Sequence, residues 1–523
     1  MATKLSRARR QAVRGAALAA SAAAALAAAP AAGAKAFPPH PFVPGSVVIA
    51  DSEYPAAGDP AIQLGQPLPE GGNAIADGKY PEVFNNDTVD GSFAVSTPID
   101  LLDVDPFGNL LSKTEVPTDQ VTTSFSSKSE LAINFSTDGQ DLSFSAYNAP
   151  PNALDASNSN TPGVIDLTNP DTGAYYRVAS NLDSDGNWTF TDTNNYSGDN
   201  GRAVMLDNTS GLFYEAGNSN NGSAKKGSAL LAELAATGGA QTEVPSSLPQ
   251  SQQDPGFPNQ LGKFSVTELG DPVDKLGKDT NFRGLTIYNG VVYVTKGSGG
   301  NGINTVYWVN TDPTNNPCVD GQGLPEKDQP LPTLAGVPYP ICILKGFNTQ
   351  LASVTTNIFP FGIWFANADT LYVADEGDGV ITTDPNPYDD AAAQTLAGLQ
   401  KWEFNGTDWY RVDTFQNGLD LGQPYTVPGY PKGTDSVTGL PWAPATDGLR
   451  NISGQVNGDG TATIYAATST VSGSGDQGAD PNAVVKITDE LSGTTPGSEQ
   501  FTTIAPPKSR IVYRGVAVVP STY

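Results

Sequence analysis

The chain has 523 residues, with 28 Lys and Arg against 55 Asp and Glu, a formal net charge of -27, one histidine and two cysteines. So acidic a chain disfavours nucleic acid and anionic membrane surfaces as partners. The lone imidazole, His40, sits in Phe37-Pro38-Pro39-His40-Pro41, which leaves Ser/His/Asp and Cys/His catalysis, His-built zinc or copper centres and His-ligated haem without their central residue.

Residues 1–36 combine a basic start (Lys4, Arg7, Arg9, Arg10, Arg14) with an Ala-rich run from Ala16 to Ala29 and small residues through Ala36. This is the layout of an export signal, with cleavage expected after Ala34 or Ala36. Its removal takes six cations, leaving 22 Lys and Arg against 55 Asp and Glu, a net charge of -33. The apolar run is too short and too weakly hydrophobic to span a bilayer, and no later segment approaches the roughly 20 apolar residues that a span needs. Residues 37–523 are therefore expected to form one secreted, extracellular or periplasmic domain, a monomer.

Gly and Pro together supply 98 of the 523 residues, and short runs of β-branched and aromatic residues alternate with Asn, Asp, Ser and Thr. This texture reads as many short strands and frequent turns; Lys225 to Ala236 is the one plausible helix. A strand, a tight turn and a second strand recur in Glu130 to Tyr147, Arg202 to Gly217, Arg283 to Gly297, Phe361 to Gly377 and Arg450 to Thr468, at spacings of 72, 81, 78 and 89 residues. A sixth start, Arg514-Gly515-Val516-Ala517-Val518-Val519, ends the chain without a partner, whereas Gly45-Ser46-Val47-Val48-Ile49-Ala50-Asp51 is a second strand without its first. Joined, they complete one unit and close a ring, so the fold class is all-β, a six-bladed β-propeller with seven blades as the alternative. A β-sandwich series competes, but does not explain the complementary ends. Asp312 to Tyr339, Thr383 to Gln394 and Gly418 to Pro444 read as surface loops; Cys318 and Cys342 are expected to join across the first of them.

In such a unit the entry to the innermost strand and the exit of the second face the same mouth of the central channel. The entries are Glu130, Arg202, Arg283, Phe361, Arg450 and Arg514, so four of the seven arginines beyond the signal are placed there. With Lys128 and Lys296 they make up to six cations, opposed by Asp51, Glu53, Glu215, Asp375, Glu376, Asp378 and Asp476. Two readings coexist: the guanidinium forks fasten neighbouring units, or they converge on a phosphate, sulfate or uronate. The glycine-rich acidic stretches Asp375 to Gly379 and Gly475 to Asn482, with Asp375, Asp378, Asp476 and Asp480, suit calcium. Asp183 to Asn187 reads as a turn. Among the tryptophans, Trp442, with Tyr425 and Tyr430 in a Pro-rich insertion, is a candidate to stack on a sugar.

The phrases Phe125-Ser-Ser-Lys-Ser-Glu-Leu131, Asn281-Phe-Arg-Gly-Leu-Thr286, Leu371-Tyr-Val-Ala-Asp-Glu-Gly377 and Ala445-Thr-Asp-Gly-Leu-Arg-Asn451 resemble a family of exported bacterial β-propeller proteins of unassigned activity. At a coarser level the strand pairs resemble TolB-like and NHL-like six-bladed propellers, a scaffold that also carries calcium-dependent lactonases and phytases. The resemblance implies the fold and the compartment, and brings no catalytic residues. Gly58-Asp59-Pro60-Ala61-Ile62 matches only a fragment of the aspartate-rich phytase signature.

The resulting expectation is a propeller that binds an anionic small molecule or polysaccharide at the arginine-bearing mouth. Calcium is its one candidate cofactor; haem, zinc and nucleotide are not expected. If it is an enzyme, hydrolysis or lyase chemistry is expected, with Glu130, Asp375 or Glu376 as base and Arg283, Arg450 and Arg514 neutralising the anion. The alternative is a non-catalytic envelope protein whose insertions contact a partner.

Overall fold

The computed structural model describes residues 41–54, 95–125, 127–153, 155–165, 173–218, 239–247, 260–272, 279–297, 300–327, 329–333, 338–355, 357–383, 386–435, 438–474, 478–493 and 499–521. The signal segment, His40, Lys225 to Ala236, Gly58 to Ile62 and Asp476 lie outside the described residues.

The described strands form six four-stranded antiparallel units, here numbered I to VI; four are separate sheets, III and IV are joined into one nine-stranded sheet by the parallel pairing of Gln260–Lys263 with Tyr339–Leu344, and Ser96–Thr97 pairs with Thr123–Ser124 in a separate two-stranded sheet. In unit I the innermost strand is Ile511–Val518, followed outward by Val47–Glu53, Ile99–Val104 and Leu110–Glu115. Val47 faces Val518 and Glu53 faces Ile511, so the two ends of the chain close one sheet as expected. Unit II runs Ile133–Phe135, Leu142–Tyr147, Arg177–Leu182 and Trp188–Thr193; unit III runs Gly201–Asp207, Leu212–Gly217, Ala240–Glu243 and Gln260–Lys263. Unit IV is Leu285–Tyr288, Val291–Lys296, Thr305–Val309 and Tyr339–Leu344, with the short strand Gln322–Gly323 added parallel to its outer edge. Units V and VI are Pro360–Asn367, Thr370–Asp375, Gly398–Phe404, Trp409–Phe415 and Ala445–Val456, Thr461–Val471, Val484–Glu490, Thr502–Ala505.

The six innermost strands touch one another in sequence around a closed cycle, which makes the fold a β-propeller. Local sequence explains the close approach. A Cβ on Gly284, directly after Arg283, would lie 2.2 Å from the Phe361 carbonyl oxygen, and one on Gly515, after Arg514, would lie 2.4 Å from that of Leu131. Only glycine lets neighbouring innermost strands approach so near. Second strands are buried along their length, as in Val291–Lys296 and Thr370–Asp375, so they read as continuous apolar runs. Outer strands such as Leu110–Glu115 are largely exposed.

Asp183 to Asn187 is a turn, as read, and joins the two outer strands of unit II: Asp183 Oδ1 accepts from the amides of Asp185 and Asn187 at 3.0 and 2.8 Å. The insertion from Thr383 to Gln394 differs from a plain loop by one short helix, Asp389–Ala393. Cys318 and Cys342 form a disulfide that ties the insertion of unit IV to its outermost strand. Among the described residues no helix is long and apolar enough to cross a membrane.

Candidate functional site

The mouth is assembled where chain enters the innermost strands. Lys128 enters unit II and Glu376 leaves the second strand of unit V, on the far side of the ring, yet Lys128 Nζ lies 3.5 Å from Glu376 Oε2. That pair crosses the axis. Arg450 of unit VI places Nε 3.4 Å from the same oxygen. Glu376 is 3% exposed, and although burial opposes its charge, Lys128, Arg450 and Arg283 together hold its carboxyl below the usual range. Three cations thus surround one ionised carboxylate, and Glu376 Oε1 has no hydrogen-bond partner among the described residues.

Arg283 differs from the other arginines of the repeat. It is 6% exposed, its Nε is buried without a partner, and its guanidinium makes no hydrogen bond or ion pair among the described residues. Burial, with Arg202 and Arg450 nearby, pulls its pKa down to about 9, so it remains a cation at neutral pH. Arg202, by contrast, donates to Ser129 Oγ at 3.1 Å, to the Phe282 carbonyl at 2.6 Å, to Asn200 Oδ1 at 3.0 Å and to Asn281 Oδ1, and lies 3.5 Å from Asp199. Arg514 donates to the carbonyls of Ser127 at 2.5 Å, Gly478 at 2.9 Å and Phe125. Lys296 is fully buried and donates to Asn304 Oδ1 at 2.9 Å. These three cations fasten loops and neighbouring units.

Of the carboxylates expected to oppose the cations, Glu376 is the one that meets the central group. Asp51 lies in its strand opposite Asp100, and burial with that neighbour raises it to about 7. Glu215 shares the Asn195 amide with Glu243, at 3.1 and 3.0 Å, and is pushed up to about 8 by burial. Glu130 is buried beneath the mouth and accepts from Thr123 Oγ1 and the Ser124 amide, both at 3.1 Å, from Asn200 at 3.2 Å and from the Tyr147 hydroxyl. Burial raises its pKa, and its four donors leave it a wall of the site.

In the described parts of the acidic loops, the candidate calcium ligands Asp375 and Asp480 are occupied by protein donors. Asp375 accepts from the amides of Phe359 and Gly377 at 2.8 and 3.1 Å and from Gln400 at 3.2 Å, and burial pushes it up to about 8. Asp480 is filled by hydroxyl donors: Ser472 at 2.6 Å, Ser474 and Tyr430 at 2.9 Å, Thr470 at 3.3 Å. Asp378 is half-buried and accepts from the Val380 amide at 2.9 Å. A calcium cage presents oxygen lone pairs to one point, whereas here protein donors occupy them. No group of three or more His, Cys, Asp or Glu side chains suited to a metal occurs among the described residues.

Sequence reasoning missed Asp447, three residues before Arg450 in the phrase Ala445 to Asn451. Its carboxylate accepts from the Gly379 amide at 2.8 Å and Gln394 at 3.1 Å, and burial raises it to about 7. Trp442 is a correction: it is fully buried and packs at 6.1 Å, edge-on, with Tyr430, whose hydroxyl is bound to Asp480, so no ring face is offered to a sugar.

These features define a β-propeller with a cationic axis on one face. No protein-family model and no curated protein sequence matches the chain. Among solved structures it is similar to a periplasmic gluconolactonase from Pseudomonas aeruginosa, with 10% identity, 82% of this chain and 99% of that chain covered, and a TM-score of 0.33. It is also similar to apo AztD from Citrobacter koseri, with 10% identity, 82% and 97% covered, and a TM-score of 0.27.

Proposed function

We propose that this protein is an exported propeller that binds a small anionic ligand, of phosphate, sulfate or uronate type, at the axis of the mouth, with Arg283, Lys128 and Arg450 as its donors. One observation carries the reading: a buried guanidinium, that of Arg283, is left without a protein acceptor beside two further cations that share a single carboxylate. Burying an unpaired cation costs several kcal/mol, and an anion accepting from it offsets that cost. The fork geometry of Arg283 suits two oxygens of one oxyanion, and Lys128, one quarter exposed, is the approach from solvent.

The reading is one of binding. Glu130 and Asp375, the carboxylates considered as bases, are occupied by protein donors and serve as supports. Export rests on the basic, Ala-rich and small-residue order of residues 1–36. The test is calorimetric titration of the protein, residues 37–523, with phosphate, sulfate and galacturonate, repeated on Arg283→Met. The expected result is saturable binding of one of the three, weakened at least about ten-fold in the variant, as for loss of a charge-assisted pair. Binding of none, or equal binding by the variant, overturns the reading.

A further inference from the structure

In each unit the turns between first and second and between third and fourth strands lie on the face opposite the mouth. On that face, between units IV and V, is a cavity of about 350 Å³. Its walls are aromatic: Tyr288 stacks on Phe365 at 4.6 Å and 6°, Tyr293 meets Phe365 at 4.6 Å and 49°, and Phe404 meets Trp409 at 5.5 Å and 35°. The turns Tyr288–Val291 and Phe365–Asp369 bring the first rings together, and the outer hairpin of unit V brings the last two.

The rim is charged and of mixed sign. Glu326, Lys327 and Asp369 line the cavity, all three are exposed, and none has a side-chain hydrogen bond or ion pair among the described residues. The Glu326–Lys327 edge is also held rigid. The disulfide anchors the insertion at Cys318, Trp308 Nε1 donates to the Gly323 carbonyl at 3.1 Å, and Asn316 donates to the Leu324 carbonyl at 2.7 Å. Fixing a wall before the ligand arrives removes an ordering cost from binding. A second cavity of about 620 Å³, lined by hydroxyl and carboxylate groups such as Thr137, Asp207 and Ser210, shares Asn289 with the first.

We propose that this cavity is a carbohydrate site that takes one neutral pyranose ring of an oligosaccharide, independent of the anion site on the other face. A pyranose has an apolar C–H face to lay on aromatic rings and an edge of hydroxyls that both donate and accept. Glu326 and Asp369 take donated hydroxyl protons, and Lys327 donates to a hydroxyl oxygen. With two carboxylates against one ammonium the rim is net negative and disfavours an anion. The other aromatic-cage ligand, an organic cation, is repelled by Lys327 but attracted by Glu326 and Asp369, so the titration below carries it as a competing outcome. The adjoining hydroxyl-lined cavity continues the site for the next sugar unit.

The test is calorimetric titration of residues 37–523 with neutral trisaccharides of glucose, galactose, mannose and N-acetylglucosamine, and with tetramethylammonium chloride, on the unaltered protein, Tyr288→Ala and Asp369→Asn. The expected result is saturable binding of at least one trisaccharide, weakened about ten-fold or more by each substitution, a loss of the size of one stacking or one charge-assisted contact. Asp369 is exposed, so its variant keeps the test decisive where Tyr288→Ala lowers stability. No binding of any trisaccharide, binding untouched by Asp369→Asn, or tetramethylammonium binding in place of sugar overturns the proposal.

Discussion

Arg514 and Arg283 stand at the same position of the repeat, each followed by a glycine pressed against the next unit, yet their guanidinium groups live differently. Arg514 donates through its two terminal nitrogens to the carbonyls of Phe125, Ser127 and Gly478, which come from two separate loops, and only its Nε is without a partner among the described residues. Arg283 reaches none, and shares its space with Lys128, Arg450 and Glu376 across the axis. The difference teaches that a repeat position sets where an arginine enters the mouth, whereas the neighbouring loops decide whether it is a fastener or a free donor. The side of the ring that closes the chain uses its arginine as mortar.

The largest effect that sharpens this contrast is expected from Arg514→Met. It leaves three buried carbonyls without their donor, and a loss of about 3–5 kcal/mol in denaturant unfolding is expected. A loss below about 1 kcal/mol breaks the assignment of Arg514 as a fastener. Next comes the double substitution Cys318→Ser with Cys342→Ser, which opens a loop with a sequence separation of 24. A loss of about 3 kcal/mol is expected from the chain entropy released, read by the same unfolding measurement.

A smaller, pH-dependent effect follows from buried acids. Asp375 and Glu215 are raised to about 8, Asp51 and Asp447 to about 7, all chiefly by burial. The folded protein therefore holds more protons than the unfolded chain between roughly pH 4 and 8. The contribution of these groups is fully present below about pH 4 and is lost as pH rises through 7 to 8. The urea midpoint is expected to fall between pH 5 and pH 8.5, and a midpoint that climbs across that window contradicts the assignment.

The smallest stability effect is expected at Arg283. Removing a cation that has no protein partner strands no acceptor, so Arg283→Met should change stability by less than about 1 kcal/mol, or raise it. Anion binding should fall in the same variant. A loss as large as that of Arg514→Met would make the two arginines alike and dissolve the comparison.

Much of the fold is legible in the sequence. The strand pairs around Asp138-Gly139, Asn208 to Gly211 and Asn457 to Gly460 stand out because second strands are buried on both faces and the turns carry their own glycine. The outer hairpins Ile99–Val104 with Leu110–Glu115 and Arg177–Leu182 with Trp188–Thr193 are harder to read. The outermost strand Leu110–Glu115 is exposed and mixes Leu with Ser, Lys, Thr and Glu, and short polar pieces such as Ala240–Glu243 are held by the neighbouring strand more than by their own propensity. At the mouth, the residues Lys128, Arg283, Glu376 and Arg450 were visible as entry and exit positions. Their grouping was not, because Lys128 and Glu376 are 248 positions apart and meet only when units II and V face each other.

By itself, then, the sequence determined the texture of short strands, the complementary chain ends, the disulfide partners and the identity of the cations that reach one face. These are properties of local pattern and of residue count. Tertiary structure alone decided which cation is free, that Asp375 and Asp480 are filled by amide and hydroxyl donors, that Trp442 is core, and that the aromatic cavity lies between Tyr288 and Trp409. Each of these depends on which atoms of distant units occupy the last few ångströms around a side chain, and hydrogen bonding and desolvation change sign over that distance.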